Sequence, residues 1–127
     1  MSHPLILQQY PGMGRGVCST VDIKRGAVVE VSAVIPIAAK DWKLIKKTLL
    51  EAYVYAWGRT GKDAAMPLGF GGLFNHSDDA NLVFFVNQKQ QRITFRARRD
   101  IPAFEQLTIN YQWSAKDRKK YFAPAPE

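Results

Sequence analysis

The sequence predicts a mainly β domain assembled from several short strands, and three observations carry that prediction. β-branched and apolar residues recur in short runs, turns rich in glycine and proline separate the runs, and helical spacing is confined to the stretch after Asp41. With 127 residues, 46% of them hydrophobic and 23% charged, the chain has single-domain size and enough apolar mass for a core. Its composition excludes collagen-like, coiled-coil and mainly disordered classes.

Leu5 to Gln8 form the first short apolar strand, ended by the turn Tyr10-Pro11-Gly12-Met13-Gly14-Arg15-Gly16, and Val17 to Val21 resume an extended run. After a second turn at Lys24-Arg25-Gly26, the β-branched stretch Ala27 to Ile35, closed by Pro36, fits two short strands with a kink better than one long strand. Trp42, Ile45, Leu49 and Tyr53 then recur at helical spacing, with Asp41 placed to cap the start and Lys43, Lys46 and Lys47 on the other face. This predicts one amphipathic helix reaching at least Leu50. Ala52 to Trp57 suits either a continuation of that helix or a strand, and Gly58 and Gly61 break whichever it is.

Leu82 to Asn87 and Arg92 to Arg98 flank Lys89-Gln90-Gln91 as a hairpin, with Ile93, Phe95 and Ala97 on one face and Thr94, Arg96 and Arg98 on the other. Leu107 to Tyr111 is the last strand. Ser114 to Phe122 reads as a short, capped, basic helix ahead of a proline-containing tail. No repeat, low-complexity segment or linker divides the domain.

Cys18 is the only cysteine, so neither an internal disulfide nor a thiolate zinc cluster can form within the chain, which suits a reducing compartment. Met1-Ser2-His3-Pro4 shows no basic segment followed by an apolar run, and no apolar stretch approaches the ~18 residues of a membrane span. An intracellular, soluble protein is expected, cytoplasmic or nuclear, with no membrane partner. Lysine plus arginine number 18 against 11 aspartate plus glutamate, and the net charge of +7 favours anionic partners: nucleic acid, or a protein already bound to it. His3 and His76 are the only imidazoles, and HExxH, the P-loop lysine motif and the nucleophile elbow are all absent. Hydrolysis by a metal or a triad is therefore not expected, nor is a metal site.

Leu68-Gly69-Phe70-Gly71-Gly72-Leu73-Phe74 sets apolar residues around glycines and then ends in Asn75-His76-Ser77, three polar residues that must find partners. A buried, backbone-rich site is the physical implication. Gly12-x-Gly14-x-Gly16 is by itself a common hairpin feature and lacks the helix that a dinucleotide-binding loop needs. In order along the chain, Gly14-x-Gly16, Asn75-His76-Ser77 and Glu105-Gln106-Leu107-Thr108-Ile109-Asn110-Tyr111 resemble the pattern of the SET-domain lysine methyltransferases. The resemblance covers nearly the whole chain. It looks closest to the minimal viral SET proteins, which share the lead-in found at Leu68 to Gly71 and a comparable length.

The resemblance implies a SET-domain fold: several small β-sheets with short helices and a C-terminal pseudoknot that brings Asn75-His76-Ser77 beside Tyr111. One domain would span residues 1–127, its short basic and aromatic tail standing in for the zinc-binding module that follows the domain in many nuclear relatives. The implied cofactor is S-adenosylmethionine, and the implied reaction is methyl transfer to a lysine amine of a protein, a histone-like one among the candidates. Gly14, Arg15 and Gly16 would lie along the methionine part of the cofactor, where an absent Cβ lets backbone groups approach. Asn75 would hydrogen-bond the amino-acid end and His76 the adenine, largely through its backbone, while Trp113, Tyr121 or Phe122 would pack on the purine.

Tyr111 matches the family's invariant catalytic tyrosine, and Tyr53 matches a second tyrosine that lines the lysine channel, with Tyr55 in reserve. Accepting Tyr53 favours a strand over Tyr53 to Trp57. Because the viral relatives dimerise, a homodimer is expected by resemblance. The chain also departs from the pattern: Ala80 stands where proline commonly precedes Asn81, Phe104 replaces a turn glycine, and Gln106 replaces an acidic residue.

Such a reaction makes two demands, alignment and a neutral amine. A free lysine has a pKa near 10.4, so holding it neutral at pH 7 costs about 4 to 5 kcal/mol unless the site helps. An apolar aromatic channel beside a cationic sulfonium supplies that help by desolvation and like charge. Two other readings stand beside this one. A catalytically inactive SET-like module would bind basic or nucleic-acid-associated proteins and take up no S-adenosylmethionine. A small basic β-protein would bind nucleic acid through Arg92, Arg96, Arg98, Arg99 and the Lys116-to-Lys120 run; charge runs are usually solvated faces and no aromatic-basic strand pattern accompanies this one, so nucleic-acid contact is expected to be weak or indirect.

Overall fold

The computed structural model describes residues 4–111. Trp113, Tyr121, Phe122 and the basic helix expected from Ser114 to Phe122 lie outside the described residues. Within them the strands are β1 (Leu5–Tyr10), β2 (Gly14–Ser19), β3 (Val28–Ile37), β4 (Tyr55–Trp57), β5 (Asp63–Pro67), β6 (Asn75–His76), β7 (Leu82–Asn87), β8 (Arg92–Ala97) and β9 (Gln106–Ile109). The helix α1 (Ala39–Ile45) stands between β3 and β4, and two 3-10 segments cover Leu49–Tyr53 and Gly69–Gly72. The fold is mainly β, as expected, with two sheets in the orders β1-β2-β9-β6 and β4-β5-β3-β8-β7. None of the described helices is long and apolar enough to cross a membrane.

The hairpin β7–β8 follows directly from the alternation in the sequence. Ile93, Phe95 and Ala97 are buried while Arg92, Thr94 and Arg96 are half-buried, and Phe84 stands opposite Phe95 in the register. Val17, Leu107 and Ile109 from the first sheet share one buried apolar cluster with Val29, Ile93 and Phe95 from the second, and Phe74 belongs to it. Phe74 meets Phe95 edge-on at 4.9 Å between ring centroids. Anchoring Phe74 in the core fixes the start of the polar segment that follows it.

Five local expectations need correction. The stretch Ala27 to Ile35 is not two strands: β3 is one strand of ten residues with a bulge between Val28 and Glu30, and it runs on through Pro36. Beyond Ala33 it pairs with β5 alone, so a proline without an N–H is tolerated at the open edge. The long amphipathic helix is also divided. α1 ends at Ile45 and a 3-10 segment begins at Leu49, where the Thr48 hydroxyl accepts from the Leu50 N–H at 3.2 Å. No residue of α1 is buried, so the helical spacing there is not enforced by a core.

Asp41 does not cap α1; it lies in the first turn, and the Ala39 N–H donates to Asp63 Oδ1 at 2.9 Å. The strand expected from Tyr53 begins only at Tyr55, leaving Tyr53 as the last residue of the 3-10 segment. Finally, the turn after β1 is shorter than its glycines suggested. Pro11 to Met13 alone lie outside the ladder, and Gly14 to Gly16 belong to β2.

Phe104 occupies the left-handed region at φ 69°, the conformation a glycine would adopt without strain, and its side chain is 58% exposed. Its N–H still closes the turn by donating to the Ser19 carbonyl at 2.8 Å. Left-handed backbone costs a non-glycine residue about 1–2 kcal/mol, only part of which is offset by the extra chain entropy that glycine loses on folding. Phe104→Gly is therefore expected to raise unfolding stability by about 0.5–1 kcal/mol in urea titrations. A lowered midpoint would show that the exposed ring contributes more than its backbone costs.

Candidate active site

Three chain segments distant in sequence meet at one end of the first sheet. β6 runs parallel to β9, with Asn75 opposite Thr108 and His76 opposite Ile109, and the Ser77 N–H continues the pairing by donating to the Ile109 carbonyl at 3.0 Å. β2 lies on the other edge of β9, with Val17 opposite Leu107. The C-terminal strand is thus inserted between the glycine-containing strand and the Asn-His segment, and Tyr111 emerges from it beside His76.

Tyr111 is held at three points. Its N–H donates to His76 Nδ1 at 3.0 Å, its hydroxyl donates to the Phe74 carbonyl at 2.8 Å, and its ring lies 5.0 Å from the His76 ring. Since Nδ1 accepts, the proton of His76 sits on Nε2, which is 2.9 Å from Asp78 Oδ1. The hydroxyl hydrogen of Tyr111 is committed to Phe74, so the oxygen lone pairs remain for other partners. Partial burial pushes the Tyr111 phenol above its ordinary value, and the nearby Tyr53 adds to the shift.

Asn75 is held by its amide nitrogen, which donates to the Arg15 carbonyl at 3.1 Å and to Gln106 Oε1 at 2.7 Å. Ser77 turns away, its Oγ accepting from the Asp79 N–H at 3.1 Å. An open cleft of about 240 Å³ runs past these groups, lined by Met13, Arg15, Tyr53, Phe74, Asn75 and Tyr111 among others. Of the residues singled out in the sequence, Arg15, Tyr53, Asn75 and Tyr111 therefore share this cleft. Gly14, Gly16 and His76 adjoin it without lining it.

Tyr53 rather than Tyr55 faces the cleft. Tyr55 instead donates its hydroxyl to the Gly71 carbonyl at 2.7 Å and packs edge-on against Phe84 and Phe95. Burial, and secondarily Tyr111, push its phenol well above the ordinary range. Both tyrosines thus approach Tyr111, one as wall and one as support.

Sequence reasoning missed the groups that support this wall. Glu30 Oε2 accepts from the Phe70 N–H at 2.8 Å and from the Ser32 hydroxyl at 3.2 Å, and Ser32 Oγ accepts from the Gly71 N–H at 3.1 Å. These bonds satisfy two donors, the Phe70 and Gly71 N–H groups, of the 3-10 segment that leads to Phe74. A Cβ on Gly71 would fall 2.5 Å from Ser32 Oγ, which is why glycine stands there. The available signal was the polar pair Glu30 and Ser32 inside an otherwise β-branched run. Asn81 was also passed over as a structural group: its amide bridges Glu105 Oε2, the Gln106 carbonyl and the Thr108 N–H at 2.8 to 2.9 Å.

Comparison with known proteins places this geometry in context. Residues 14–112 match the SET domain family. Over 109 residues, 85% of this chain and 73% of the relative, the sequence is 28% identical to a histone-lysine N-methyltransferase, H3 lysine-37 specific, from Schizosaccharomyces pombe. Two structures of Polycomb Repressive Complex 2 from Chaetomium thermophilum share the fold. One, in an autoinhibited conformation bound to S-adenosylmethionine, superposes with a TM-score of 0.72 at 22% identity, over 88% of this chain and 15% of its own. The other gives a TM-score of 0.74 at 20% identity, over 89% of this chain and 16% of its own. At such identities the likeness speaks for the fold alone, and this chain spans about a sixth of those larger ones.

Proposed function

The chain belongs to the SET domain family, and from that premise we propose that it transfers a methyl group from S-adenosylmethionine to a lysine side-chain amine of a protein. The observation that carries this reading is the parallel pairing of β6 with β9, which sets the Asn75 amide and the Tyr111 hydroxyl around one cleft. The residues present fit the cofactor. Both hydrogens of the Asn75 amide nitrogen are committed to protein acceptors, leaving Oδ1 to accept from an ammonium group, and the exposed Arg15 on the same cleft supplies a cation for a carboxylate.

When bound, S-adenosylmethionine supplies a methyl on a sulfonium; the C–S bond breaks as the lysine nitrogen forms a new C–N bond, and the amine proton has left beforehand to solvent. The chain's own residues bind and align. Tyr111, its hydrogen held by Phe74, offers lone pairs that orient the amine N–H and the polarised methyl C–H groups. With its phenol shifted upward, Tyr111 stays un-ionised through neutral pH and acts as a fixed acceptor. Tyr53 gives the cleft an aromatic surface, beside which the neutral form of the incoming lysine is favoured.

A histone-like substrate and a nuclear site of action are part of the proposal, supported by the histone-lysine N-methyltransferase relative and by the positive charge of the chain, which would be drawn to chromatin. So is a homodimer, supported by the likeness of Leu68 to Gly71 to the lead-in of minimal viral SET proteins. A labelled-methyl assay on basic proteins and cell lysate, with mass spectrometry to locate the product, tests substrate and activity together. Asn75→Ala is expected to weaken S-adenosylmethionine binding about tenfold in calorimetry. An unchanged affinity would remove Asn75 from the cofactor site, and no binding by the wild type would favour an inactive SET-like binding module.

A further inference from the structure

We infer that Gln106 is a positioning residue for the proposed cofactor site, fixing the Asn75 amide so that its oxygen, rather than its nitrogen, is presented to the cleft; this rests on the reading of the site given above. A carboxamide can be turned end for end at little intrinsic cost, so its orientation is set by neighbours. On one side of Asn75 stand two acceptors, the Arg15 carbonyl at 3.1 Å and Gln106 Oε1 at 2.7 Å. Turning the amide over would bring Oδ1 against both oxygens. The carbonyl of Arg15 holds only one amide hydrogen, and Gln106 is needed for the second.

Gln106 is itself oriented. Its Nε2 donates toward Met13 Sδ at 3.4 Å, which leaves Oε1 pointing at Asn75. Its side chain reaches this place over Gly16: a Cβ there would fall 2.6 Å from Gln106 Oε1. The absence of a side chain at Gly16 thus makes room for the Gln106 amide and the Tyr10 ring, whether or not a ligand also approaches that strand. Gly16, Gln106 and Asn75 form a chain of contacts ending in a single directed acceptor. Among the described residues that acceptor, Asn75 Oδ1, has no hydrogen-bond partner of its own.

The consequence is a preference for ligands that carry a donor at this point. Calorimetry on the full chain with S-adenosylmethionine and with its analogue lacking the α-amino group reads that preference directly. Gln106→Leu is expected to weaken S-adenosylmethionine about tenfold while leaving the analogue within about twofold. Gln106→Glu, which keeps the acceptor, restores the wild-type preference, and adding Gln106→Leu to Asn75→Ala brings no further loss. Equal weakening of both ligands by Gln106→Leu, or weakening of neither, overturns the inference. Should Gln106→Leu fail to fold, hydrogen exchange of the Asn75 side-chain amide in the wild type decides: two slowed protons support the inference, two fast ones overturn it. A wild type that takes up neither ligand overturns the reading of the site itself, and the inference with it.

Discussion

Tyr111→Phe is expected to lower methyl transfer by about two to three orders of magnitude while leaving S-adenosylmethionine affinity near that of the wild type. The two effects separate because the contacts that would hold the cofactor run through Asn75, Arg15 and Gln106, none of which touches the phenol oxygen. What the mutation removes is the oxygen held between the Phe74 carbonyl and the cleft. Stability should change by no more than about 1 kcal/mol, since Tyr111 is 54% exposed and water can reach the Phe74 carbonyl in its place.

The pH dependence sharpens the test. With the Tyr111 pKa raised, the phenol is protonated at neutral pH in both folded and unfolded chains, and the rise of rate with pH reports the substrate amine. The folded state's preference for the un-ionised phenol is fully present below the unfolded value of about 10 and is lost only as pH climbs through the raised folded value. Tyr111→Phe should therefore lower the pH–rate curve without moving its midpoint. Turnover equal to the wild type would remove Tyr111 from the reaction, and a displaced midpoint would mean that it carries the proton.

Local pattern made some of this architecture legible and left the rest dark. The β7–β8 hairpin could be read because alternation of Ile93, Phe95 and Ala97 with Thr94 and Arg96 reflects burial on one face. β3 could not, because its bulge and its change of partner from β8 to β5 are set by neighbours far along the chain. The helix after Asp41 was overextended for a different reason: Trp42 donates its indole N–H to Glu51 at 2.7 Å, a contact made as the segment folds back across the break at Thr48. Propensity did not decide where that break falls.

The site shows the same division. Asn75 was visible as a polar residue that needed partners and Tyr111, by itself, only as one more aromatic; their meeting depends on a parallel pair of only two positions in β6. No periodicity can be read from so short a strand. The family resemblance supplied the meeting, and it also pointed to Gln106 and Phe104 as departures. Their consequences, a neutral acceptor facing Asn75 and a phenylalanine at φ 69°, became visible only in three dimensions.

Asn81→Ala is expected to destabilise the fold by about 2–4 kcal/mol, a large share of the roughly 5–15 kcal/mol that holds a domain of this kind together. Asn81 is 2% exposed. Its Nδ2 donates to Glu105 Oε2 at 2.9 Å and to the Gln106 carbonyl at 2.8 Å, and its Oδ1 accepts from the Thr108 N–H at 2.9 Å. Truncation removes the side-chain partners of the Gln106 carbonyl and of the buried Thr108 N–H, in a strand that must stay between β2 and β6 for Tyr111 to reach the cleft. Asn81→Asp keeps the acceptor but sets a second carboxylate against Glu105 Oε2 and the Gln106 carbonyl, a repulsion the wild-type amide does not make. Its penalty should be largest at neutral pH and ease as the pH falls and one carboxyl takes up a proton. Urea titrations at pH 7 and pH 5 check both variants, and an unchanged midpoint for Asn81→Ala would overturn the account. Methyl transfer by Asn81→Ala should recover toward the wild-type rate at low temperature, where the variant is still folded. Tyr111→Phe should stay slow at every temperature, because under the proposed function it lacks an oxygen at the site of transfer rather than a fastening.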